Sequence, residues 1–452
     1  MRVTRVRIEN IKGFRDGPSA VDLDFTAAGG ELPRWIVVAG RNGAGKTTFL
    51  QALALALVGP RNALTLRGSF ADWIRAGARS GEVLAWLRVA EGRKREPNVD
   101  VHLGLGWTRH GADPEPALLD SWQHPRQSEP GREWDPFSRG GPWSAYSKRY
   151  FVTGYGPFRR LSRATLEAER LMAMAGRPAG LASLFHEDAS LAEAVSWLRW
   201  IYLRRLEDVP GAAQMHDAVL ALLNDGLLPE GMRVVKVTSD GLWVRTPAGP
   251  KLPLQALSDG YRTVAALVLD LLRQLELAYG HLDTIPNHPH VAFPHQGVVL
   301  IDEIDAHLHV SWQQTIGFWF KDHFPGLQFI VSTHSPFICQ AADPGGLVRL
   351  PAPGEDGPAR ILEGEVYNRV VNGSVDDAVL TDLFGLETTY SKRSRDIRDE
   401  VARLESRAAT GQLTADEQDR LVTLQRELPT TLSSEVASAL RQLAHKIDDA
   451  ED

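Results

Sequence analysis

Gly40-Arg41-Asn42-Gly43-Ala44-Gly45-Lys46-Thr47, directly after the apolar run Trp35-Ile36-Val37-Val38-Ala39, decides the reading of this chain. The apolar run reads as a short buried strand, and Thr48-Phe49-Leu50-Gln51-Ala52-Leu53-Ala54-Leu55 continues beyond the loop as a helix former. Strand, glycine-rich loop and helix in that order make a P-loop. Its glycines let the backbone curl so that successive N–H groups face phosphate oxygens, and the new helix adds the positive end of its dipole. The expected nucleotide-binding set is Gly40, Asn42, Gly43, Ala44, Gly45, Lys46, Thr47 and Thr48. Lys46 would reach the β and γ phosphates, and the Thr47 hydroxyl would sit on Mg²⁺.

A P-loop specifies only that a nucleotide binds; the chemistry is set by motifs further along the chain. Val298-Val299-Leu300-Ile301-Asp302-Glu303 is an apolar strand ending in two carboxylates. A parallel sheet presents its ligands at the carboxyl ends of its strands. Asp302 is expected to hold Mg²⁺, directly or through water, and Glu303 to polarise the attacking water as general base. The next buried strand, Gln328 to Ser332, delivers Thr333-His334-Ser335-Pro336. His334 there can donate a hydrogen bond to a γ-phosphate, although a single histidine is also often structural. Leu257-Ser258-Asp259-Gly260-Tyr261-Arg262 precedes a long helix, so Ser258 and Gly260 lie where an N-cap and free N–H groups can bind an anion.

Around these motifs the chain of 452 residues is organised in four parts. Residues 1–60 open with a hairpin, Val6 and Ile8 alternating with Arg5 and Arg7 before Val21, Leu23 and Phe25, and end in the P-loop. Residues 61–230 read as an insertion, with strands at Val83 to Val89 and Val99 to Trp107, followed by a helical lobe. Residues 231–370 hold a second hairpin and then alternate apolar strands with helices, the pattern of a parallel sheet covered on both faces. Residues 371–452 carry a short helical hairpin with a capping box from Thr414 to Glu417. Apolar content of 43% and charged content of 24% are those of a soluble globular protein. The single cysteine, Cys339, suits a reducing compartment, and no membrane-spanning or targeting segment is read, so a cytoplasmic location is expected. The formal net charge of −7 confines any nucleic-acid contact to local basic patches.

The ordered set Gly40 to Thr47, Leu257 to Arg262, Leu300 to Asp305 and Ser332 to Ser335 resembles the cassette-type ATPases of the structural-maintenance, RecF and OLD group. Asp302 to His309, with Leu257 to Arg262 and Val152 to Pro157, looks like the bacterial AAA-family defence ATPases of Septu and retron systems. The resemblance implies an α/β P-loop NTPase of ABC/RecF-like type: a mixed sheet with helices on both faces, an N-terminal antiparallel β lobe, an inserted helical lobe and a C-terminal helical hairpin. It implies ATP hydrolysis with Mg²⁺ and a trans signature loop, Ser258, Asp259, Gly260 and Tyr261, that presses on ATP held by an opposite subunit. A site divided in that way needs a two-fold head-to-head dimer. The catalytic set is then Lys46, Glu303 and His334, and the effector is a separate partner such as a small HNH nuclease acting in anti-phage defence.

This sequence departs from the family at three places. Asp259 and Tyr261 stand in the signature where a glycine and a Gln or Glu are usual, and His309 stands where an acidic residue is common. In place of a Q-loop glutamine comes Gly154-Tyr155-Gly156-Pro157-Phe158-Arg159-Arg160, so Tyr155, Arg159 and Arg160 are candidates for coupling to the helical lobe or for contact with DNA. Arg5, Arg7, Lys12 and Arg15 form a second basic element on the first hairpin. A RecF/SMC-like DNA-repair or DNA-clamping ATPase is the alternative function, and the energising subunit of a transporter a more distant one.

Overall fold

The computed structural model describes residues 1–26, 31–89, 99–109, 111, 113–119, 141–144, 149–159, 172, 176–228, 231–238 and 241–428. The chain divides into two compact units, Met1–Gly385 and Leu386–Asp452.

The first unit begins with β1 (Arg2–Glu9) and β2 (Val21–Asp24), an antiparallel hairpin in which Ile8 lies opposite Val21. The P-loop strand β3 (Trp35–Ala39) leads into α1 (Lys46–Val58), followed by α2 (Pro60–Leu66). Next come β4 (Ser80–Val89), β5 (Val99–Thr108), β6 (Pro116–Leu118) and β7 (Val152–Tyr155). The strands β1, β2, β4, β5 and β6 make one antiparallel sheet in the order β2-β1-β4-β5-β6. Alternate residues of β4 are buried, as a sheet with one wet face requires.

Three helices follow, α3 (Arg177–Phe185), α4 (Ala192–Leu206) and α5 (Ala212–Asn224), then a small antiparallel sheet of β8 (Arg233–Thr238), β9 (Gly241–Arg245) and β10 (Lys251–Pro253). The unit closes with α6 (Asp259–Tyr279), β11 (Gly297–Ile301), α7 (Val310–His323), β12 (Leu327–Thr333), α8 (Pro336–Cys339), β13 (Leu347–Arg349), β14 (Arg360–Ile361), α9 (Gly364–Val371) and α10 (Val375–Val379).

The central sheet runs β14-β13-β3-β12-β11-β7, parallel throughout except at the β14 edge. Every residue of β3, β11 and β12 is buried. Successive side chains of a strand point to opposite faces, and the core separates accordingly. Trp35, Val37, Val299, Ile301, Phe329 and Val331 pack with α6 and α7 on one side. Ile36, Val38, Val298, Leu300 and Ile330 pack with α1 and the antiparallel sheet on the other. The helix α1, buried from Phe49 to Val58 except at Gln51, is the shared filling between the two sheets, as an almost wholly apolar helix must be. One buried glutamine ties the sheets together. Gln328 on β12 accepts from the Val3 N–H at 2.6 Å and donates to the Val3 and Pro33 carbonyls at 3.1 and 2.9 Å.

Two sequence expectations change. Residues 61–230 are not a separate insertion: β4 pairs along nearly the whole of β1, and β7 forms the edge of the parallel sheet beside β11. The apolar face of the opening hairpin needs a partner strand, and that strand arrives only after the P-loop, α1 and α2. The division near the C-terminus falls after Gly385 rather than at 371, because α9 and α10 belong to the first unit.

The second unit is a helical hairpin of α11 (Lys392–Ala409) and α12 (Ala415–Glu427) around Val401, Leu404 and Leu424. The expected capping box is formed: Thr414 accepts from the Glu417 N–H while the Glu417 carboxylate takes the Thr414 N–H. Among the described residues, no helix is long and apolar enough to cross a membrane.

Candidate nucleotide site

Three loops meet because three parallel strands end together. Ala39 of β3 lies opposite Thr333 of β12, and Ile301 of β11 lies opposite Val331 of β12. The strand that carries His334 is thus interposed between the P-loop strand and the strand that carries Asp302 and Glu303.

In the P-loop, Gly43 and Gly45 have φ of +79° and +91°, a left-handed conformation that costs a side-chain-bearing residue roughly 1 kcal/mol or more. At Gly45 space is also lacking, since a Cβ would lie 2.8 Å from the Phe14 ring. The turn of the first hairpin therefore sets the position from which α1 starts. Lys46 is buried at the first helical position, and its Nζ donates to the carbonyls of Gly40 and Arg41 at 3.0 and 3.3 Å, lying across the loop. Burial lowers its pKa, and Asp302, Glu303 and Asp305 oppose that shift.

Asp302 is 1% exposed and joins all three loops. One carboxylate oxygen accepts from the Thr47 hydroxyl at 2.6 Å, and the other accepts from the Ser332 hydroxyl. The Ser332 oxygen in turn accepts the Glu303 N–H at 2.8 Å. Glu303 has φ of +45°, strain at a non-glycine residue that neighbouring bonds must hold. Besides Ser332, that hold comes from Arg159, which is 4% exposed and donates to the carbonyls of Asp302 at 3.3 Å and Glu303 at 2.9 Å. Burial lowers the Arg159 pKa to about 10, with Asp305, Asp302 and Glu303 opposing, so the guanidinium keeps its charge at neutral pH. The carbonyls it holds belong to the two residues expected to serve Mg²⁺ and the attacking water.

His334 is exposed at the end of β12. Partial burial and the Lys46 charge lower its pKa against the pull of Asp305, Glu303 and Asp302, which favours the neutral ring at pH 7. Its neighbours fix the loop: Thr333 donates to Asp305, and Ser335 donates to Gln313 at 2.6 Å. In the P-loop, Asn42 is exposed, Ala44 buried and Thr48 half-buried. Thr47 and Asp302 present two oxygen donors side by side, the few-ligand arrangement in which Mg²⁺ keeps water and phosphate oxygens as its remaining partners.

The signature loop differs. Ser258 is the N-cap of α6, exposed, and its side chain makes no capping hydrogen bond. Asp259 is exposed and paired with Arg262. Gly260 packs on the loop after Glu303, for a Cβ there would lie 2.4 Å from the His307 carbonyl oxygen. Tyr261 is half-buried, edge-to-face on Trp312 with ring centroids 5.2 Å apart, so it anchors the loop by packing.

The expectations of DNA contact need correction. Tyr155 is 1% exposed and Arg159 is buried, so neither can meet a base or a phosphate from solvent; both serve the interior. Arg160 lies outside the described residues. On the first hairpin Arg5 pairs with Asp22, Arg7 with Glu9, Lys12 with Asp72 and Arg15 with Asp356, so each cation already faces a carboxylate. Sequence reasoning misses the contribution of Ser332; its signal is a hydroxyl residue near the end of a mostly apolar strand. The position of Arg159 leaves no signal, because its partners are 143 to 145 residues away.

A family model described as "AAA domain, putative AbiEii toxin, Type IV TA system" matches residues 214–340, and one described as "AAA domain" matches residues 5–94. Septu protein PtuA of Bacillus mycoides (strain KBAB4) is 24% identical over 336 residues, 74% of this chain and 38% of that protein. Retron Vc95 probable ATPase of Vibrio cholerae serotype O1 biovar El Tor is 43% identical over 90 residues, 20% of this chain and 16% of that protein. Septu protein PtuA of Bacillus thuringiensis is 29% identical over 170 residues, 37% of this chain and 41% of that protein. This chain thus spans less than half the length of these relatives. Among solved structures, an SMC head domain from Thermotoga maritima aligns with a TM-score of 0.40 at 16% identity, covering 80% of this chain and 100% of that one. In sequence the chain is thus similar to AAA-domain proteins and to the ATPases of Septu and retron systems.

Proposed function

We propose that this protein is an ATP-hydrolysing switch whose two copies close head to head around two ATP molecules and thereby control a partner effector in anti-phage defence. The observation that carries the reading is the contrast between linked and unlinked motifs. Thr47, Asp302, Ser332 and Glu303 are joined by hydrogen bonds within one chain, while the Ser258 hydroxyl at the start of α6 is exposed and uncommitted. An exposed helix N-terminus with a spare hydroxyl is suited to an anion brought by another molecule.

In this reading Lys46 swings from the Gly40 and Arg41 carbonyls to the β and γ phosphates. Glu303 accepts a proton from the attacking water, its backbone held by Ser332 and Arg159. His334, as a neutral ring, donates to the γ-phosphate and so distinguishes ATP from ADP. When bound, Mg²⁺ at Thr47 and Asp302 would offset the charge on the phosphates. Ser258 and the N–H groups of α6 complete the site of the opposite copy. Gly260 touching the His307 carbonyl gives a mechanical link, because a shift of the Glu303–His307 turn moves the signature loop against the partner.

The partner effector, a separate protein such as a small HNH nuclease, is inferred from the similarity to Septu and retron ATPases. The test uses Glu303→Gln. With ATP and Mg²⁺ it should shift from monomer to a stable dimer by light scattering, and the parent should return to monomer as ATP is consumed. A variant that turns over at the parental rate would remove Glu303 as base. Tight ATP-dependent DNA binding by the chain without any partner would favour a RecF/SMC-like DNA clamp instead.

A further inference from the structure

Away from the nucleotide site, three segments bring together two imidazoles and a carboxylate. Asp225 follows α5, His290 lies in the loop that precedes β11, and His323 is the last residue of α7. One ligand atom from each, a histidine nitrogen or a carboxylate oxygen, lies within 4.8 Å of the others. We infer that Asp225, His290 and His323 form a binding site for one divalent transition-metal ion, with zinc the best match.

The distances suit the assignment. His290 Nδ1 is 3.3 Å from Asp225 Oδ2, and His323 Nε2 is 3.9 Å from the same oxygen. Ligand atoms at about 2.0–2.1 Å from a tetrahedral zinc stand roughly 3.3 Å apart. The first pair is at that spacing already, and the second needs a small side-chain rotation. At 3.9 Å the second pair is too long for a hydrogen bond, so the contact with Asp225 does not by itself account for where His323 Nε2 points.

The surroundings orient the ligands as outer-shell partners of metal sites do. His323 Nδ1 lies 2.7 Å from the Val291 carbonyl; donation there fixes the tautomer and turns the lone pair of Nε2 toward Asp225. The Val291 N–H donates to Asp225 Oδ2 at 3.3 Å, and Trp319 Nε1 donates to the Asp225 carbonyl at 2.6 Å. The His323 side chain is 2% exposed, so its ring is held in place by the packing around it. The His290 side chain is 43% exposed and that of Asp225 33%, which leaves a way in for the ion and room for water as a fourth ligand.

Two nitrogens and one oxygen select a borderline ion over Mg²⁺ or Ca²⁺, which take oxygen ligands. Such an ion would clamp the end of α5, in the helical layer, to α7, the helix that begins after the Asp302–His309 loop. It is distinct from the Mg²⁺ expected at the nucleotide site.

The experiment is a titration of the full, metal-free chain with Zn²⁺, without nucleotide, followed by calorimetry, and a parallel titration with Co²⁺ followed by its visible absorption. One ion per chain and an absorption of tetrahedral strength are expected. His290→Ala, a change at an exposed loop residue, should weaken Zn²⁺ by more than about 100-fold, beyond what losing an outer-shell partner costs. Asp225→Asn should weaken it in the same direction, with circular dichroism of both variants unchanged. Absence of binding, or parental affinity in both variants, would overturn the assignment.

Discussion

The P-loop side of the nucleotide site and the signature loop are built on opposite plans. Around Asp302 each polar group is committed: two hydroxyls, one backbone N–H and a buried guanidinium fix the ends of β11 and β12 before any ligand is considered. At Ser258 the backbone is fixed by a helix and by Gly260 against His307, but the side chain is exposed and makes no capping hydrogen bond. In the proposed reading, the difference separates a half preorganised for phosphate and metal within one chain from a half offered to another molecule.

The comparison can be broken most forcefully at Glu303. Glu303→Gln should lower ATP turnover by about 10²- to 10⁴-fold, the usual contribution of a positioned base, in a steady-state phosphate-release assay. Nucleotide affinity in that variant should be kept.

Next in size is Lys46→Ala, which should raise the ATP Kd by roughly 10- to 150-fold, equivalent to about 1.5–3 kcal/mol for hydrogen bonds to a charged group. Fluorescent-nucleotide binding measures it. Ser258→Arg should leave monomer ATP affinity unchanged within error while abolishing formation of its own homodimer, a split that a purely intramolecular role for Ser258 would not produce.

Gly260→Ala sharpens the mechanical link. The added methyl meets the His307 carbonyl, so thermal unfolding should show a loss of about 1–3 kcal/mol, as overpacking typically costs. Turnover should fall with it because the Glu303 turn is displaced. The smallest effect is expected in the C-terminal hairpin, where Thr414→Ala removes a cap and should cost about 1 kcal/mol of local stability, read by amide exchange in α12.

Legibility in the sequence divides along the same line. The P-loop and Asp302-Glu303 can be read because their chemistry is concentrated in contiguous residues at strand ends. The alternation of Val83, Ala85 and Leu87 discloses a strand but not its partner, since pairing with β1 is set by tertiary packing. Arg159 is visible as a cation and misplaced as a surface contact, because nothing local distinguishes an arginine that binds phosphate from one that caps carbonyls more than a hundred residues distant. The Asp225, His290 and His323 cluster likewise draws on three separate segments with no motif spacing between them.

The central claim is that the two halves of each site come from different chains. Mixing Lys46→Ala with Ser258→Arg tests it directly, since each variant alone should be inactive. In a sandwiched dimer the mixed pair regains one site with an intact P-loop from one copy and an intact signature from the other. Each heterodimer then has one working site of two, so the mixture is predicted to recover up to about half of parental turnover. Continued inactivity of the mixture, with both variants folded and the parent active, would contradict the account.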